Sequence, residues 1–192
     1  MKKLTVSQLR RVSGNLDRIF NLASEQNISE GMNWYKDANQ FCINTATTFG
    51  LTSQTVAAVV SALSPRNKWR TNLKDTITVL TAVRDGISPE ATKVSTFHCN
   101  KFKAFALAQG TTEITDDSRK TFSFVKNVGL LDENRVTVDV WHLRACFNKT
   151  KGSIGKIAYD QLESLTLKKA KKLGIKGYEY QAIIWGSIQD NF

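Results

Sequence analysis

Apolar side chains recur every three or four residues along almost the whole chain, the spacing that lines one face of an α-helix. Only one short run alternates as a strand would, and a lone strand has no neighbour to take its main-chain hydrogen bonds. The pattern therefore predicts an all-α fold. Val6, Leu9, Val12, Leu16, Ile19, Phe20 and Ala23 predict a first helix. Ser29 is expected to cap a second, which runs through Trp34, Tyr35, Ala38, Phe41, Cys42 and Thr45 to a left-handed end at Gly50.

Thr52 or Ser53 caps a third helix, Gln54 to Leu63, which is apolar nearly all round and stops at Pro65, so it reads as the central buried helix. A fourth is expected from about Trp69 to Asp85, closed by Gly86, and Ser88-Pro89 starts a short helix or turn. Phe97 to Gln109 and a stretch capped by Asp116 or Asp117 and ending at Gly129 give two more. Val136-Thr137-Val138-Asp139-Val140 is the strand-like run, read as an extended lead-in to a helix starting near Asp139. A helix from Ile157 to Leu173, broken at Gly174 and Gly177, and a final one through Ile183, Ile184 and Ile188 complete eight or nine helices joined by short connections. With 192 residues and neither repeat nor linker, residues 1–192 are expected to form one compact all-α domain.

Twenty-seven Lys and Arg against seventeen Asp and Glu give a net charge of +10, which favours a polyanionic partner through counterion release. The charge runs around Arg66, Lys68 and Arg70, at Lys101 and Lys103, at Lys149 and Lys151, and from Lys168 to Lys172 read either as phosphate contacts or as solvated faces. Three widely spaced cysteines outside any C-x-x-C pair suggest neither a disulfide framework nor a cysteine metal site and fit a reducing compartment. No signal peptide and no membrane span is read, so a cytoplasmic location is expected. The phosphate loop G-x-x-x-x-G-K-[ST], H-E-x-x-H and G-x-S-x-G are all missing, which disfavours nucleotide hydrolysis by a P-loop and zinc proteolysis and calls for neither metal nor cofactor.

The segment Asp117-Ser118-Arg119-Lys120-Thr121-Phe122, followed by Val136 to Arg144, resembles the helix-hairpin-helix DNA glycosylase superfamily (HhH-GPD). In that family a G-[RP]-K-T segment opens one helix and a V-D-T-H-V-x-R segment, carrying the catalytic aspartate, opens the next. Asp139 matches the aspartate, Arg144 the arginine, and Lys120 the lysine of bifunctional members. Leu63 to Trp69 and Asn100-Lys101-Phe102-Lys103-Ala104 are similar to two further family segments, so the match spans roughly residues 50 to 150. The closing Gln181-Ala182-Ile183-Ile184-Trp185 is similar to a phage branch that includes pyrophosphorylases of thymine hypermodification. The resemblance implies two helical subdomains around a central cleft. One departure is plain: Glu113 to Ser118 stands where the family has a glycine-rich hairpin, and its acids do not suit phosphate capture unless nearby lysines compensate.

The chemistry implied by the resemblance is cleavage of an N-glycosidic bond, which builds positive charge on the sugar. A carboxylate such as Asp139 can stabilise that charge and activate water. An amine such as Lys120 can instead form a Schiff base if its pKa is depressed. An extruded base would be held by stacking on Trp34, Tyr35, Trp69 or Trp141, with His142 as a further substrate contact. Arg66, Lys68, Arg70, Lys101, Lys103, Arg119 and Arg144 are the candidate nucleic-acid contacts, and the partner is expected to be duplex DNA carrying a modified base. Without the resemblance, Asp139 reads as a helix cap, Lys120 as a solvated lysine, His142 as a surface or packing residue and the tryptophans as core. The alternatives are a binding module that has lost catalysis, and an enzyme of thymine hypermodification.

Overall fold

The computed structural model describes residues 3–148 and 154–191. Nine α-helices and no strand occur among the described residues. The first helix, α1 (Val6–Asn21), begins at a reciprocal cap in which Thr5 Oγ1 accepts the Gln8 amide and Gln8 Oε1 accepts the Thr5 amide. The second, α2 (Glu25–Phe49), starts four residues before the expected Ser29 cap. Ser24 and Asn27 make the same kind of exchange, Ser24 Oγ accepting from Asn27 N and Asn27 Oδ1 from Ser24 N, which closes the turn earlier. Beyond α2, Gly50 lies at φ +64°, a left-handed geometry that costs a side chain and costs glycine nothing.

The chain divides into two compact units, one of residues 38–130 and one of residues 1–37 with 131–192. In the first, α3 (Ser53–Leu63) is buried at every position from Val56 to Leu63, as its all-round apolarity predicts. Around it pack α4 (Trp69–Arg84), α5 (His98–Ala108) and α6 (Arg119–Leu130), and α4 also touches α5. Residues 89–91 form only a turn, stabilised by Ser88, whose Oγ and carbonyl accept from Ala91 N and Thr92 Oγ1. Neither Asp116 nor Asp117 begins α6, because the helix opens at Arg119 and the Arg119 guanidinium pairs with the Asp116 carboxylate.

The second unit packs α1 against α7 (Val140–Phe147), α8 (Lys156–Leu173) and α9 (Gly177–Asn191), and α9 also against α7 and α8. Its core gathers Leu16, Ile19, Leu162, Tyr180 and Ile184, all nearly solvent-free. Phe20 stacks on Tyr180 with ring centroids 5.0 Å apart. Gly174, left-handed at φ +71°, ends α8 as expected. Cys42 and Cys146 are buried and Cys99 is exposed, all as free thiols. Among the described residues no single helix is long and apolar enough to cross a membrane.

Within this unit the start of α2 crosses α9 at Gly31. A Cβ built there would lie 2.7 Å from the main-chain nitrogen of Ile183 and 2.5 Å from its Cγ1, a space that only glycine leaves open. Gly31→Ala is therefore expected to destabilise the protein by about 1–3 kcal/mol through overpacking against main chain, read as a lower midpoint in urea unfolding with little change in slope.

Candidate functional site

The strand-like run is buried from Val136 to Val138 and lies in neither helix nor strand, and no strand lies beside it among the described residues. Side chains one turn apart on α8 take the hydrogen bonds a neighbouring strand would have made. Tyr159 Oη donates to the Val136 carbonyl (2.9 Å) and accepts from Val138 N (3.0 Å). Glu163 Oε1 accepts from Val136 N (2.8 Å), while its other oxygen lies 3.6 Å from the Arg135 guanidinium. The main chain leading into α7 is thus held against α8, and the Val136 amide and carbonyl and the Val138 amide are satisfied as burial requires.

Asp139 follows directly. Its extended conformation (φ −93°, ψ −173°) makes it the N-cap of α7, and Oδ1 accepts the His142 amide at 2.8 Å. A carboxylate at this end of a helix is favoured by the exposed N–H groups and the dipole. The side chain is half-buried.

Around this cap lies an aromatic and polar group. Tyr35 is buried, its hydroxyl donating to Gln181 Oε1 at 2.9 Å and bonding the Thr137 side chain. Burial foremost, and the Asp139 charge to a smaller degree, push the Tyr35 hydroxyl well above the ordinary tyrosine value. Trp34 stands edge-on to Tyr35 (4.6 Å) and to Trp185 (5.9 Å), and both indoles are half-buried. On α7 the Arg144 guanidinium lies over the Trp141 ring at 4.2 Å, a cation–π contact that holds both half-buried side chains in place. Asp139, Trp34, Tyr35, Trp141 and Arg144 all belong to the unit of residues 1–37 and 131–192.

His142, expected as a substrate contact, is instead a core residue with 1% exposure. Its Nε2 lies 3.0 Å from Thr166 Oγ1, and that hydroxyl donates to the Leu162 carbonyl (2.8 Å). The Thr166 oxygen must therefore accept, which assigns the proton to Nε2 and leaves Nδ1 as a buried acceptor without a partner. Burial pushes the imidazole pKa down to about 4, from 6.5. Between those values the unfolded chain binds a proton that the folded chain refuses, so this stability is complete above about pH 6.5 and lost as pH falls towards 4. The loss by pH 4 is on the order of 3 kcal/mol. In urea unfolding at pH 7 and pH 4.5, His142→Gln should lose less stability than the wild type; equal losses would contradict this account.

Arg66, Lys68, Trp69, Arg70, Lys101, Lys103, Arg119 and Lys120 lie in the unit of residues 38–130. Lys68 is the N-cap of α4, with no side-chain capping bond, and Trp69 and Arg70 form its first turn. Arg66, exposed and left-handed at φ +57°, lies over the Phe97 ring at 5.6 Å. Lys103 is exposed, whereas Lys101 is buried and donates to the Thr92 carbonyl at 2.9 Å, so its ammonium is spent inside the protein. Lys120 is exposed at the start of α6. Lys149 and Lys151 lie outside the described residues. Positive charge is shared evenly: residues 38–130 carry eleven Lys and Arg against six Asp and Glu, and the rest carry sixteen against eleven, +5 in each unit.

Sequence reasoning missed Tyr159, Glu163, Gln181 and Trp185 as parts of this group. The one legible signal was that a buried strand-like run without a partner strand must find hydrogen bonds elsewhere. Among the described residues no group of three or more His, Cys, Asp or Glu is gathered to hold a metal. The model of a family described as a family of unknown function, DUF7178, matches residues 1–192, so the chain belongs to that family. No curated protein and no solved structure matches.

Proposed function

We propose that this member of DUF7178 cleaves or processes the N-glycosidic bond of a modified base in DNA, with Asp139 as the carboxylate that stabilises charge on the sugar and activates water. One observation carries the reading: a half-buried carboxylate stands on main chain clamped by Tyr159 and Glu163, beside half-buried indoles that can hold a planar base. The resemblance to helix-hairpin-helix glycosylases points to the same residue. In this reading the net charge of +10 attracts the DNA, with Arg66, Lys68, Arg70 and Lys103 as phosphate contacts, and the enzyme is phage-encoded and acts in the cytoplasm.

Hydrolysis is favoured over lyase chemistry. A Schiff-base lysine acts from a desolvated pocket against the substrate, and Lys120 is exposed at the start of α6. A second reading, a DNA-binding module without turnover, is favoured by one fact: Asp139 already spends Oδ1 on capping α7.

Asp139→Asn separates the two, because asparagine caps a helix about as well as aspartate but carries no charge. Incubated with duplexes bearing normal and hypermodified bases, the wild type is expected to release free base, seen by mass spectrometry, and Asp139→Asn to lower the rate about a thousand-fold with DNA affinity unchanged. Retained release in Asp139→Asn removes the mechanism, and DNA binding without release from any duplex selects the binding module. Borohydride is expected to trap no adduct, and an adduct lost in Lys120→Ala would restore the lyase.

A further inference from the structure

We propose that a groove between α1 and α8 docks an acidic amphipathic helix of a partner protein. The groove has a volume of about 420 Å³ and lies wholly in the unit of residues 1–37 and 131–192. Leu9 of α1 and Ile157 and Leu165 of α8 give it an apolar lining. Gln161, beside them, ties one wall to the other: its Oε1 accepts the Leu4 amide at 2.7 Å and its Nε2 donates to the Leu4 carbonyl at 3.1 Å. Val6 lies one turn before Leu9 on α1. Val6 at 67% exposure and Ile157 at 59% are the two most exposed large apolar side chains among the described residues. Single exposed apolar residues are ordinary, but two that flank an apolar groove mark a contact surface.

Charge selects the partner. Together α1 and α8 carry eight Lys and Arg against three Asp and Glu, +5, which is the whole net charge of their unit; its other residues balance at eight against eight. Lys169 and Lys176 pair with Asp17 and Glu133. Arg10, Lys168, Lys171 and Lys172, in contrast, are exposed and make no ion pair among the described residues. Lys168 lines the groove, and Lys171 and Lys172 continue its row at helical spacing. Asp160, the acid of the lining, lies two turns before Lys168, so the basic end of the groove is the Lys168 end. Unpaired positive charge beside an apolar lining fits a helix with leucine-type side chains on one face and carboxylates flanking them. A second copy would bring +5 against +5. Nucleic acid would take the charges and leave the apolar lining facing phosphate. A flat lipid surface would meet Val6 and Ile157 but would not fill the groove down to the half-buried Leu9 and Leu165.

The probe is a dye-labelled synthetic peptide of about fifteen residues, long enough to form a helix, with leucines at three- and four-residue spacing and glutamates between them. One control scrambles the same residues, and another carries lysine in place of glutamate. In anisotropy titrations against the full chain, the wild type is expected to bind the patterned glutamate peptide about ten-fold more tightly than either control. Ile157→Ser removes exposed apolar surface without changing charge and should weaken that binding about ten-fold. Lys168→Glu combined with Lys172→Glu should reverse the preference towards the lysine peptide, a swap that loss of folding does not imitate. Circular dichroism checks each fold. A wild type that binds none of the peptides or all three alike, or variants that keep the wild-type preference, overturns the proposal. So does binding of duplex DNA, or of vesicles of phosphatidylcholine and phosphatidylglycerol, that Ile157→Ser weakens, because the face would then serve nucleic acid or lipid. A dimer in sedimentation that Ile157→Ser dissociates overturns it in favour of a second copy.

Discussion

A stretch of main chain with no strand to pair with sets the terms for one half of this protein. Val136 to Val138 are buried outside any helix, so each unsatisfied amide or carbonyl among them would cost a hydrogen bond's worth of desolvation. Tyr159 and Glu163, four residues apart on one face of α8, meet that requirement with side chains. Glu163 is 7% exposed, a costly place for a carboxylate, and it is tolerated because a main-chain amide and the Arg135 guanidinium both face it. The direction of α7 and the position of Asp139 follow from this clamp.

Most helices were legible because their signals are local. The bounds of α3, α4 and α5 fall within a residue or two of those expected, since Thr52 caps one end of α3, Pro65 stops the next stretch from continuing it, and Gly86 and Gly110 close α4 and α5 with left-handed turns. The start of α2 was misplaced because two capping serines, Ser24 and Ser29, lie five residues apart, and only the reply from Asn27 decides between them. Asp139 as a cap was readable from the extended run and the helix that follows it.

The partners of that run were not readable. Nothing in the local pattern around Tyr159 distinguishes a tyrosine that bonds a distant main chain from one that fills the core, and Glu163 resembles any acid on a helix. The same holds for His142, whose neighbour Thr166 lies 24 residues away. Lys101 sits in a basic run that suggests a solvated face, yet helix packing turns its ammonium towards Thr92. In each case a tertiary contact, invisible to spacing, decides whether a polar group is spent or free.

Gly31 links the core to the site. By letting α2 approach the main chain of Ile183 it brings the next turn of α2, with Trp34 and Tyr35, against the neighbours of Ile183 on α9, Gln181 and Trp185. A larger residue at position 31 would push these two groups apart, and the Tyr35 to Gln181 bond would lengthen with them. Tight packing at a point with no chemistry of its own thus sets the spacing of the aromatic group beside Asp139, because close-packed interiors pass displacement on rather than absorbing it.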